Sequence, residues 1–141
     1  MKCIFCEIVN GNSPAEIIYE NKSALAFLDI NPMNFGHTLV IPKNHYSDFT
    51  SIPGEEISEV IYAVQKISAA VRKSLGADGY NIVSNNGEAA GQSVFHFHFH
   101  IIPRTYSDIK VKFNLKKYQG SSIKEYADKI KKELDIYGEK K

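Results

Sequence analysis

Short runs of β-branched and aromatic residues alternate with polar ones through the first part of the chain. Residues 16–20 and 24–29 flank the turn-forming Glu20-Asn21-Lys22-Ser23, which predicts a hairpin. Asn31-Pro32-Met33-Asn34-Phe35-Gly36 reads as an irregular loop, followed by a strand over 37–41 that Pro42 ends. From 53 to 75 the period changes. Ile57, Val60, Ile61, Val64, Ile67, Val71 and Leu75 recur at helical spacing, with Ser51 as the expected cap, Pro53 in the first turn and Gly76 just past the end. A strand over 80–84, a polar loop over 85–91 and a strand over 94–102 closed by Pro103 come next. Ile123, Ala127, Ile130 and Leu134, set among lysines and glutamates, predict a second, more exposed helix. Local, antiparallel strands with separate helices give an α+β class.

The chemistry concentrates in Val94-Phe95-His96-Phe97-His98-Phe99-His100-Ile101-Ile102. Alternate side chains of a strand share a face, so His96, His98 and His100 point one way and Phe95, Phe97, Phe99 and Ile101 the other. Same-face neighbours stand ~6.6 Å apart, which lets an exposed middle imidazole touch phosphorus while the others reach its oxygens. Three readings stay open. The histidines could be hydrogen-bonded core residues; they could hold a metal whose bound water does hydrolysis; or the middle one could be a nucleophile. An imidazole is largely unprotonated at pH 7, and its phosphorus–nitrogen bond is labile, so one hard displacement becomes two easier ones. The glycines and amides of Asn85-Asn86-Gly87 and Gly91-Gln92-Ser93 suit a loop around an anion. Neither a P-loop nor a dinucleotide-binding glycine fingerprint is present.

Composition narrows the class. The chain has 141 residues, 43% hydrophobic and 23% charged, which predicts one folded domain over 1–141, with 1–104 as the motif-bearing core and 105–141 as a variable segment. A net charge of +1 favours a small anionic ligand over nucleic acid. No apolar run is long enough for a bilayer and no signal-peptide pattern is seen, so no membrane partner and a cytoplasmic location are expected. The two cysteines, Cys3 and Cys6, stand too close together to staple a secreted fold, and a thioredoxin-like setting is absent.

His96-Phe97-His98-Phe99-His100-Ile101-Ile102 resembles the signature of the histidine-triad (HIT) family. Cys3-Ile4-Phe5-Cys6, Ala26-Phe27-Leu28-Asp29-Ile30-Asn31-Pro32, Gly36-His37-Thr38-Leu39-Val40-Ile41-Pro42-Lys43-Asn44-His45, and Asn85-Asn86-Gly87 to Gly91-Gln92-Ser93 fall in family order. The likeness spans about residues 3–104. It implies the HIT fold, an antiparallel sheet of about five strands with one long helix and one or two shorter ones, and a homodimer.

The resemblance further implies a nucleotide hydrolase or nucleotidyl transferase acting at the α-phosphate of a purine nucleotide. His98 would be the nucleophile, with His100, His37 and Ser93 around the phosphate and leaving group. Asp29 would hold the ribose hydroxyls, Asn85 and Gln92 would contact the nucleotide, and Phe5, Ile8, Phe27 and Ile30 would form the base slot. Structural zinc on Cys3, Cys6, His45 and His96 is implied as well, with no organic cofactor. A Hint-like branch, of adenosine phosphoramidase type, is favoured, although Pro103-Arg104 after the triad is Fhit-like and no tryptophan is present. Dinucleoside polyphosphate hydrolysis and a slow nucleotide-binding scaffold are the alternatives.

Overall fold

The computed structural model of the protein describes residues 2–108 and 112–136. Two compact units are present, 1–108 and 109–141. The first holds helix α1 (Ile4–Val9), strands β1 (Ile17–Glu20), β2 (Ala24–Leu28) and β3 (Thr38–Pro42), helix α2 (Gly54–Leu75), and strands β4 (Gly79–Val83) and β5 (Phe99–Arg104). Single 3-10 turns lie at Phe49–Ser51 and Glu88–Ala90. The second unit carries helix α3 (Ser122–Ile136), whose Ile123, Tyr126, Ile130 and Leu134 form an exposed apolar stripe. No described helix is long and apolar enough to cross a membrane.

The five strands pair antiparallel in the order β1-β2-β3-β5-β4. The expected hairpin is β1–β2, and Asn21 closes it by accepting the Ser23 and Ala24 N–H groups on its side-chain oxygen. β2 and β3 are buried almost throughout because both faces of the sheet are covered. Ala24, Ala26 and Val40 pack with Phe97 and Ile101 against Val60, Ala63, Val64, Ile67 and Val71 of α2. The alternate residues Leu25, Phe27, Leu39 and Ile41 meet Phe5 and Ile8 of α1. Each large aliphatic side chain so buried contributes about 1.5–3 kcal/mol.

Several boundaries depart from expectation. α2 starts at Gly54 with Pro53 at the cap, while Ser51 belongs to the preceding 3-10 turn, where Asp48 caps it. Gly76 takes the left-handed position after α2, at φ 62°. α1, too short to show a helical period, has no counterpart in the predicted elements. Pro42 ends β3 as expected, whereas Pro103, expected to close its strand, lies inside β5. Pro103 is tolerated in β5 because β3 pairs only as far as Ile101; its carbonyl accepts from Asn34 on that vacated side, where its missing N–H would also point.

The largest correction concerns the triad segment. β5 begins at Phe99, so His96 and His98 precede the strand. The Phe97 N–H goes to the Tyr46 carbonyl at 2.6 Å, outside the sheet ladder. The alternation nevertheless survives: Phe97 enters the α2 side of the core, and His96 and His98 pack against Phe5 on the other. Phe95, expected to be buried with the other phenylalanines, is 49% exposed.

Candidate active site

A cavity of about 600 Å³ opens on the α1 face of the sheet. Its wall brings together Phe5, Ile8, Phe27, Asp29, Ile30, Ser93, His98 and His100, all singled out in the sequence, with His37 directly behind His100. Ile4, Leu39 and Val94 line it too, as do Ser13, Pro14 and Ala15 between α1 and β1; nothing in the sequence distinguished them from core or loop. Asn85 and Gln92 do not line it. The Gln92 amide is spent on the protein itself, accepting from Gly87 N at 2.8 Å and donating to the Ser47 and Val94 carbonyls at 2.7 and 3.1 Å.

His98 is less exposed than expected, at 6%, because the Phe5 ring meets it edge-on with centroids 5.2 Å apart. It still lines the cavity. Its Nδ1 donates to the His96 carbonyl at 2.7 Å, which in a neutral ring leaves the lone pair on Nε2. Burial pushes the His98 pKa below the ordinary histidine value, against the pull of that carbonyl and of Asp29. The ring is therefore neutral at pH 7, with its lone pair on Nε2.

His100 is set the other way by a relay. Met33 N donates to His37 Nδ1 at 3.1 Å, so the His37 proton resides on Nε2. That nitrogen lies 2.9 Å from His100 Nδ1, which must accept, leaving His100 with its proton on Nε2. His100 is thus a fixed neutral donor. Burial, reinforced by His98 and His37, brings its pKa down to about 4. Burial likewise lowers His37, opposed by the Asp29 carboxylate.

Two groups of metal-type donors occur among the described residues, Cys3-Cys6-His45-His96 and Asp29-His37-His100. Their second nitrogens distinguish them. His96 Nε2 donates to the Pro42 carbonyl at 2.8 Å, so its Nδ1 lone pair faces the sulfurs, 3.4 Å from Cys3 Sγ and 3.5 Å from Cys6 Sγ; His45 Nδ1 is 3.4 Å from Cys6 Sγ. Tetrahedral bonds of ~2.3 Å to sulfur and ~2.1 Å to nitrogen require donors about 3.4–3.8 Å apart, so this group fits zinc. In the second group the Met33 N–H occupies His37 Nδ1, and a metal on Nε2 would force the ring proton onto Nδ1, facing that donor. That group suits a hydrogen-bond relay and does not fit a metal. His98 belongs to neither.

Residues 10–107 match the HIT domain family model. The chain is 57% identical over 109 residues to an uncharacterized HIT-like protein of Methanocaldococcus jannaschii, covering 77% of this chain and 84% of that one. It is 44% identical over 106 residues to the adenylylsulfatase HINT3 of Arabidopsis thaliana, covering 75% of this chain and 54% of that longer protein. Among solved structures, a histidine triad nucleotide-binding protein from Candida albicans superposes with a TM-score of 0.86 at 32% identity, over 96% of this chain and 99% of that one. A zinc-bound histidine triad family protein from Mycobacterium smegmatis gives 0.74 at 46% identity, over 84% and 85%.

Proposed function

The chain belongs to the HIT domain family, and on that premise we propose that it is a nucleotide hydrolase that works through a covalent nucleotidyl-His98 intermediate. The observation that carries this reading is the His98 Nδ1–His96 carbonyl bond, which leaves an unprotonated Nε2 on a ring lining the cavity. In the first step Nε2 bonds to the α-phosphorus as the bond to the leaving group breaks, and the departing amine leaves neutral with a proton taken from solvent. In the second, water bonds to phosphorus and gives up a proton to solvent, the phosphorus–Nε2 bond breaks with its electron pair returning to the His98 ring, and a nucleoside monophosphate departs. His100, neutral and protonated on Nε2, donates a hydrogen bond to a phosphoryl oxygen in both steps and keeps its proton. Ser93 can bond the leaving group, Asp29 the ribose hydroxyls, and the Phe5-Ile8-Phe27-Ile30 wall the base.

The preferred substrate class is a nucleoside phosphoramidate or a similarly low-charged monophosphate derivative, a purine nucleotide in the favoured case. The support is electrostatic: among the described residues the cavity wall holds no lysine or arginine, and its only carboxylate is Asp29, so these residues offer a polyphosphate chain no countercharge. Zinc held by Cys3, Cys6, His45 and His96 would supply structural anchoring, with four protein ligands and no open position. A homodimer through the exposed outer edge of β4, where Tyr80 and Ile82 are uncovered, completes the reading.

Substituting His98→Ala tests it. Turnover of adenosine phosphoramidate should fall by at least about a thousandfold while nucleoside monophosphate binding stays within about threefold. Retained turnover would remove His98 from the chemistry.

A further inference from the structure

The relay behind His100 begins at a backbone N–H, that of Met33, which lies in a largely exposed turn. Residues 31, 32, 33 and 35 are exposed, Phe35 at 91%; Asn34 alone among 31–35 is partly buried. Asn34 is fastened at both ends. Its side-chain amide donates to the Pro103 carbonyl of β5 at 2.8 Å and to Asp108 Oδ2, while its main-chain carbonyl accepts the His37 N–H at 3.0 Å. Asp108 is braced by Arg104 Nη1 at 3.4 Å, and Arg104 Nε donates to Asn81 Oδ1 at 2.9 Å. The turn bearing the Met33 N–H is therefore tied to β5, the strand that carries His100.

From this geometry we propose that Asn34 is a positioning residue: by anchoring the 33–37 turn it holds the Met33 N–H on His37 Nδ1, and so sets which nitrogen of His37, and then of His100, carries the proton. It touches no substrate. Without the amide, the Met33 N–H loses its fixed aim, His37 becomes free to carry its proton on Nδ1, and His100 Nδ1 loses its donor. A neutral His100 with the proton on Nδ1 presents a lone pair to the phosphoryl oxygen where a donor is needed. The consequence for catalysis rests on the nucleotidyl-histidine reading; the consequence for the tautomers does not.

The test uses the full chain labelled with 15N-histidine, in wild-type, Asn34→Ala and Asn34→Asp forms. Asn34→Asp keeps the shape and removes the donor, and it decides the matter should Asn34→Ala not fold. Long-range 1H–15N correlations should show His37 and His100 protonated on Nε2 in the wild type and as mixed tautomers in the variants. In parallel, kcat on adenosine phosphoramidate should fall by about tenfold or more with KM changed less than about threefold. Variants with wild-type tautomers at both rings would overturn the proposal, whatever their thermal stability. Changed tautomers in a protein that does not turn over the phosphoramidate would uphold Asn34 and count against the reaction instead.

Discussion

His98 Nδ1 lies 2.7 Å from the main-chain oxygen of His96, the residue whose own ring faces the Cys3 and Cys6 sulfurs at 3.4 and 3.5 Å. One residue therefore serves two groups: its side chain joins the zinc-type donors, and its carbonyl fixes the tautomer of the His98 ring, the proposed nucleophile. Alternating histidines take different roles because their protons are pinned at different nitrogens. His96 offers Nδ1, His98 offers Nε2, and His100 donates from Nε2.

Zinc on the Cys3-Cys6-His45-His96 group would depend on the Cys6 thiolate. Replacing Cys6 by serine should reduce bound zinc from about one per chain to a small fraction, because a closed four-ligand site loses a thiolate. Removing ~2 kcal/mol should also lower Tm by about 5–10 °C. Elemental analysis of desalted protein beside thermal unfolding checks both. A wild-type protein that carries no zinc, and matches the variant in Tm, would refute the assignment.

Acid should destabilise the fold through His100. Its pKa, ordinarily 6.5, is down to about 4 in the folded chain, chiefly through burial. Between those values the unfolded chain binds more protons than the folded one, so stability rises with pH across the window. The contribution is complete above about pH 6.5 and is lost as pH falls toward 4, on the order of 2–3 kcal/mol between pH 7 and 4.5. Urea unfolding at those two pH values should show a shallower loss for His100→Asn than for wild type. Equal losses would remove His100 as the source.

Asp29 is the proposed contact of the ribose hydroxyls. Its Oδ1 accepts the Asn31 N–H at 2.9 Å, which steadies a carboxylate already on the cavity wall. Losing hydrogen bonds to a charged group costs about 1.5–3 kcal/mol, so Asp29→Ala should weaken binding of a ribonucleotide by roughly ten- to a hundredfold. A 2′,3′-dideoxy nucleotide should bind both proteins alike. Equal weakening for both ligands would assign Asp29 a purely structural role.

Much of this was legible in the chain and some was not, for definite reasons. The 3.6-residue period of Ile57 to Leu75 and the hairpin around Asn21-Lys22 are local signals, and both elements stand where they point. The facing of His96, His98 and His100 was legible from alternation, yet the strand was drawn too early, because the backbone of 96–98 bonds to the Tyr46 carbonyl and to the His98 ring in place of a neighbouring strand. The metal-type grouping depended on family likeness, since His45 and His96 reach the cysteines across 39 and 90 residues of sequence. Asn34 left no mark at all. Its partner Pro103 lies 69 residues away, and an asparagine in a loop is an ordinary turn residue until the fold brings that carbonyl to it.

The most direct test is rapid quenching of the wild-type protein with adenosine phosphoramidate labelled in the α-phosphate, followed by digestion under alkaline conditions that preserve phosphorus–nitrogen bonds. The account predicts label on the His98 peptide within the first turnover, appearing before free monophosphate and absent from His98→Ala. Product released at full rate with no label on the protein would contradict it.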